Sequence, residues 1–236
     1  MKSILGNLRR TIQENNLIKD GDRVAVGVSG GKDSTAMLYA LKKFQRFSPI
    51  KFELEAISVS LGFEDHDFTP LKEFCEKIGV NYTIKETQIK EVVFDIRKEK
   101  NPCSLCANLR RGALHEAMEE LNCNVVALGH HNDDAIETFF MNMFYTGRIQ
   151  TFQIDTYLDR RDINVIRPFI NVSEYQIIDM VKEENLPIIT SPCPVDKETK
   201  RETMKEFTKE LYKQFPLAKT NILRSFVNGD QMKLWF

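Results

Sequence analysis

The chain has 236 residues, 42% hydrophobic and 28% charged, with 11 Gly and 8 Pro; this ordinary globular composition excludes collagenous, disordered and low-complexity classes. Its 33 Lys and Arg against 34 Asp and Glu leave a net charge of −1, which argues against an evenly basic nucleic-acid binder, and no apolar run approaches the ~20 residues that span a bilayer. Charge is uneven along the chain, however, with ten basic against four acidic residues in 1–51, three against nine in 112–162 and nine against five in 197–236, so a basic face is permitted on a neutral protein.

Met1–Leu8 contains no apolar h-region, so the expected compartment is the cytoplasm. Residues 3–17 read as a helix, with Ile4, Leu8, Ile12 and Leu17 near helical spacing, and Asp20-Gly21-Asp22 ends it. Arg23–Val28 reads as a strand apolar on both faces, as in a buried parallel sheet. Ser34–Phe44 (helix), Phe52–Ser60 (strand), Pro70–Ile78 (helix) and Asn81–Lys85 (strand) follow. Val125–Leu128 and Asn164–Ile166 are further strands, beside helices at about 107–121, 133–145 and 173–184. Strands alternating with helices imply βαβ units. The expected fold is α/β, a doubly wound parallel five-stranded sheet with helices on both faces and extra helices at both ends. One domain is expected over 1–236: an N-terminal helix (1–19), a core (20–190) and a helical tail (191–236). Ligands in such sheets bind outside the carboxyl ends of the strands, which directs attention to the loops after Val28 and Leu128.

After Val28 comes Ser29-Gly30-Gly31-Lys32-Asp33-Ser34. Adjacent glycines let the backbone approach an anion, the helix start adds free N–H groups, and Lys32 offsets phosphate charge. Gly27 to Gly31 leaves three residues rather than the four of a Walker A loop, and Gly-x-Gly-x-x-Gly is absent. The six residues resemble the signature of the PP-loop ATP pyrophosphatases, which split ATP into AMP and pyrophosphate.

Leu128-Gly129-His130-His131-Asn132-Asp133-Asp134 again joins a strand to a helix. Asp133 and Asp134 are candidates for Mg²⁺, which prefers oxygen ligands; on spacing alone, helix capping is the simpler reading. Phe139, Phe140, Met143 and Phe144 are most simply that helix's buried face. With Glu137 and Thr138, the segment resembles a second PP-loop motif, found in the branch acting on tRNA that includes thiolases and lysidine synthetases.

Five cysteines, with no export signal, make a disulfide framework improbable. Pro102-Cys103-Ser104-Leu105-Cys106 places two thiols within one loop or turn, a pattern used by zinc, iron–sulfur and redox sites alike. Cys193, between Pro192 and Pro194, is the third candidate; three thiolates would leave one iron of a cubane open. Cys75 and Cys123 read as small buried hydrophobes, or else as ligands completing a structural four-thiolate zinc site. Arg201, Lys205, Lys209 and Lys213 form a cationic helical stripe that Glu202, Glu206 and Glu210 could neutralise.

Pro102–Gly112 (Pro-Cys-Ser-Leu-Cys-x-x-Leu-Arg-Arg-Gly), Asn142-Met143-Phe144-Tyr145-x-Gly147 and Val165-Ile166-Arg167-Pro168 make the match closer. From about residue 5 to 215 the chain resembles the tRNA 2-thiocytidine synthetases. The resemblance implies a 4Fe–4S cluster on Cys103, Cys106 and Cys193, and ATP held by Ser29, Gly30, Gly31, Lys32, Asp33, Ser34, Gly129 and His130. It implies catalytic roles for Lys32, Asp33, Arg110 and Asp134, with Mg²⁺ on Asp133 and Asp134. Many relatives carry a second Cys three residues after the third; here that position is Asp196. The substrate would be tRNA, with an anticodon-loop cytidine, expected at position 32, adenylated and converted to 2-thiocytidine. RNA contacts are expected at Arg9, Arg10, Arg111, Lys205 and Lys209. The sulfur donor would be a cysteine desulfurase or free sulfide, and a homodimer is a candidate assembly. The alternatives are a 2-thiouridine or lysidine synthetase, or a non-catalytic protein that binds nucleotide or metal.

Overall fold

The computed structural model describes residues 1–98, 102–194 and 200–229. Packing divides the chain into two compact units, Met1–His131 with Gln153–Asp196 and Asn132–Phe152 with Lys197–Phe236.

The first unit holds a sheet of β1 (Arg23–Gly27), β2 (Glu53–Val59), β3 (Asn81–Lys85), β4 (Val125–Ala127), β5 (Asp155–Leu158) and β6 (Ile163–Ile166). The spatial order is β3-β2-β1-β4-β6-β5. All neighbours pair in parallel except β5, which runs antiparallel to β6 with Asp155 opposite Ile166. The sheet is therefore doubly wound and mainly parallel, but six-stranded rather than five-stranded. Strand β5 escapes the sequence reading because it is short and exposed and shows no apolar alternation.

Alternation along the central strands explains the layers. Val24, Val26 and Ala56 face a core shared with Leu8 and Ile12 of α1 (Lys2–Glu14), Leu38 and Phe44 of α2 (Lys32–Gln45), Leu71 of α3 (Thr69–Ile78) and Ile177 of α6 (Glu174–Glu183). Ala25, Ile57 and Val126 point the other way, against Ala117 and Met118 of α4 (Pro102–Glu120). Side chains of successive strand residues point to opposite faces, so a strand apolar at every position needs both layers. A third cluster of Leu61, Ile89 and Val93 packs the π-helical turn Glu91–Ile96 against Leu105, Cys106 and Leu109 at the start of α4.

The second unit is helical: α5 (Asn132–Thr146), α7 (Lys200–Gln214) and α8 (Ala218–Phe226). Its core is Ile136, Phe140 and Met204, with Leu211, Tyr212, Leu223 and Phe226 packed around them. The expected division placed α5 in the core region and 191–236 apart as a tail; by packing, α5 belongs with the C-terminal helices. Phe144, expected in the buried face of α5, is 51% exposed and stacks on Phe140.

Candidate active site

Strand order reverses between β1 and β4, so their carboxyl ends bound the crevice where a doubly wound sheet takes ligands. The loop Ser29–Ser34 leaves β1 there and turns into α2. Its shape is set internally. The Ser34 hydroxyl donates to the Gly31 carbonyl (3.0 Å) and accepts from the Ser29 amide (3.1 Å). Val28 N–H donates to the Ile57 carbonyl, holding the loop's root to the sheet.

Two glycines are required by close approach. Gly30 has φ +85°, and a Cβ there would overlap the Ile189 side chain. The Ile189 amide donates to the Gly30 carbonyl at 3.0 Å, so the chain that leads to Cys193 is laid directly on the loop. Gly129, at the end of β4, would carry its Cβ 2.8 Å from the Asp33 backbone carbonyl. Only glycine lets the two loops of the switch point come that close. The cradle thus fits an anion bound by backbone N–H groups at a helix start.

Charged side chains line one side of this loop. Lys32 Nζ sits 2.9 Å from Asp33 Oδ2 and 3.0 Å from Glu174 Oε1. Burial works against the ammonium, but the Asp33 and Glu174 carboxylates outweigh it and hold the Lys32 pKa above its ordinary value. Asp33 Oδ1 lies 3.6 Å from Nε2 of the buried His131. This oxygen is itself buried and has no hydrogen-bond partner among the described residues. Leaving such an atom unsatisfied costs about 1–3 kcal/mol, which suits a site completed by a bound group. His130 follows Gly129 half-buried at the same strand end.

The paired thiols are placed on a helix rather than in a loop. Pro102 starts α4, and Cys103 and Cys106 fall on its first turns at a three-residue spacing that puts both on one face. A Cβ on Gly27, at the end of β1, would come 3.3 Å from the Leu114 side chain of the same helix. Cys106, with Leu105 and Leu109, packs against the cluster that holds Leu61, two residues past the carboxyl end of β2. Burial raises the Cys106 pKa, Arg110 opposes it, and Cys193 and Cys103 raise it further; the three thiols share one neighbourhood. Cys193 is half-buried and its amide donates to the Ser191 hydroxyl. Among the described residues no three metal-ligating side chains are gathered around a single ion position. Three thiols in one neighbourhood are a donor set that a 4Fe–4S cluster can take, each thiolate on a different iron. Asp196 lies outside the described residues. Cys75 and Cys123 are buried apart from this group, and burial pushes their thiols up to about 12 and about 11.

Arg110 is exposed, and its charge also lowers the pKa of His66, after burial as the main cause. Both ring nitrogens of His66 are buried without hydrogen-bond partners among the described residues. Neither His66 nor Glu174 was singled out from sequence. The one available signal for Glu174 was its place behind Ser173, which begins a capping box with Gln176.

In the second unit, Asp133 and Asp134 begin α5 and are engaged. Lys219 Nζ is 2.5 Å from Asp133 Oδ1. Arg201 contacts Asp134 at 2.8 Å and Glu137 at 3.7 Å. The candidate RNA contacts are distributed: Arg9 and Arg10 are exposed on α1 and Arg111 on α4, whereas Lys205 and Lys209 belong to the second unit, on α7.

Residues 4–211 match the family model of the PP-loop domain. The chain is 36% identical over 215 residues to the tRNA-cytidine(32) 2-sulfurtransferase of Pelobacter propionicus, covering 90% of this chain and 80% of that protein. It is 37% identical over 230 residues to the same-named protein of Geotalea daltonii, covering 96% and 91%. Among solved structures, the U34-tRNA thiolase of Methanococcus maripaludis with its [4Fe-4S] cluster is similar at a TM-score of 0.74 and 25% identity, covering 95% of this chain and 78% of that one.

Proposed function

The chain belongs to the PP-loop domain family, and we propose that it is a tRNA-cytidine 2-sulfurtransferase that activates an anticodon-loop cytidine, at position 32, with ATP. The observation that carries this reading is the Ile189–Gly30 contact, which places the chain leading to Cys193 on the glycine loop. Relatives 33–39% identical over most of the chain bear the 2-sulfurtransferase name, and the thiolase of similar fold carries a [4Fe-4S] cluster.

The glycine loop and the α2 N-terminus bind the triphosphate through backbone N–H groups. Ser29 and Ser34 fix the loop's shape, and Gly129 gives the β4 end its approach to Asp33. Lys32 offsets charge on the phosphates and on departing pyrophosphate, where a preorganised cation contributes most. The C2 oxygen of the cytosine attacks the α-phosphorus and pyrophosphate leaves. The adenylated oxygen is a competent leaving group, which a ring carbonyl oxygen is not. Sulfide then adds at C2 and AMP departs with the oxygen. Cys103, Cys106 and Cys193 would hold a 4Fe–4S cluster, which would supply an open iron for sulfide. Arg110 stands beside Cys106 as a cation for the phosphate side of the same reaction. Asp133 and Asp134, the carboxylates expected for Mg²⁺, are each paired through one oxygen with Lys219 and Arg201. An unpaired anticodon-loop base suits the chemistry because splaying it out costs little stacking. The sulfur donor in this reading is sulfide, free or supplied by a cysteine desulfurase.

The test is direct. Anaerobically reconstituted protein with ATP, sulfide and tRNA should yield AMP, pyrophosphate and 2-thiocytidine, and Cys193→Ala should lose both the brown cluster and the product. A colourless protein carrying one tightly bound zinc, or thiolation that survives Cys193→Ala, would falsify the reading.

A further inference from the structure

We propose that Glu174 is a positioning residue for Lys32: it ties the ammonium to the start of α6 so that one N–H stays directed at the phosphates of ATP. The inference rests on the nucleotide-site reading above.

A lysine ammonium has three N–H donors. Asp33 Oδ2 takes one at 2.9 Å and Glu174 Oε1 a second at 3.0 Å, which leaves the third for a ligand. Asp33 is the next residue in the chain, so its bond alone leaves Lys32 anchored only to its own helix start. Glu174 comes from a different helix, 142 positions later in numbering. That helix is rigidly placed. Ser173 and Gln176 close its capping box, with Ser173 N–H donating to Gln176 Oε1 at 3.0 Å, and Ile177 and Met180 are fully buried in the core it shares with α2. Glu174 is the first residue of α6, where the helix dipole favours a negative charge. A free lysine side chain is among those that lose most rotamer freedom on being fixed; two carboxylates from two elements remove that freedom before ATP arrives. Both side chains are largely shielded, at 28% exposure for Lys32 and 18% for Glu174, so solvent competes weakly with the bond.

The experiment is calorimetric titration of the full chain with ATP and, in parallel, with adenosine, for wild type, Lys32→Met, Glu174→Ala, Glu174→Gln and the Lys32→Met/Glu174→Ala double variant. Fixing one long side chain in advance is expected to make Glu174→Ala bind ATP about fivefold more weakly. Glu174→Gln keeps an acceptor oxygen in place and should stay within about twofold of wild type. Adenosine, which lacks phosphates, should bind all variants alike, and this also shows that they fold. In the Lys32→Met background, Glu174→Ala should have no further effect, because residues that act through one another are non-additive. Two results overturn the positioning role while leaving the nucleotide site standing: an equal loss from Glu174→Ala with or without Lys32, or unchanged ATP affinity in Glu174→Ala when Lys32→Met is weakened. If Lys32→Met binds ATP as tightly as wild type, the nucleotide-site reading fails first and the positioning role with it.

Discussion

Two strand-to-helix loops in this chain look alike in sequence: each carries an acidic residue at the head of its helix. They are used differently. In the first unit, the Ser29–Ser34 loop keeps its backbone shaped by its own serines, with two glycines at points of close approach. Its charged pair, Lys32 and Asp33, faces Glu174 and His131. In the second unit, Asp133 and Asp134 at the head of α5 hold Lys219 and Arg201 from the C-terminal helices. Acidic residues at a helix start thus take either a neighbouring or a distant cation as partner. What separates the two loops is the source of their lysine and arginine partners: Lys32 is the neighbour of Asp33 in sequence, whereas Lys219 and Arg201 come from 86 and 67 residues away.

The largest effect is expected at Gly30. Gly30→Ala forces a side chain into φ +85° and onto Ile189, so ATP affinity should fall more than about tenfold and stability by about 1–3 kcal/mol; calorimetry and thermal unfolding read both. An alanine variant that binds ATP normally would mean the cradle is not the nucleotide site. A smaller effect belongs to the other loop. Arg201→Ala should cost about 1 kcal/mol, since Arg201 is itself 40% exposed. ATP affinity should stay unchanged, and a matching loss of affinity would make Asp134 part of the nucleotide site after all. The smallest effect concerns the thiols. Cys75 and Cys123, buried and titrating at about 12 and about 11, are almost wholly protonated at pH 8 and should resist iodoacetamide in the folded, cluster-free protein. Because only the thiolate reacts, their labelling should rise only as pH climbs toward those values, whereas the exposed Cys103 labels first. Peptide mass spectrometry gives the order, and early labelling of Cys123 would remove it from the buried class.

Much of this was legible in sequence because burial imposes patterns on it. Val24, Ala25 and Val26 are apolar in a row because both faces of β1 are covered, and the glycine loop announces itself by residue type and place. What stayed hidden depends on packing between distant segments. Strand β5 is exposed except at Leu158, so no apolar alternation marks it. The Cys103–Cys106 turn reads as a loop because Pro102 suggests a break, yet proline is well tolerated at a helix start. The partners of Asp133 and Asp134 lie 86 and 67 residues away, and Glu174 meets Lys32 only because α6 packs beside α2. No local window contains either pairing.

The proposed function requires nucleotide activation and sulfur delivery to act on one and the same cytidine. The measurement that tests it most directly is mass spectrometry of tRNA nucleosides from cells deleted for this gene and complemented with wild type, Gly30→Ala or Cys193→Ala. 2-Thiocytidine should disappear on deletion and return with wild type alone. Persistence of 2-thiocytidine in the deleted cells, or its return with Cys193→Ala, would contradict it.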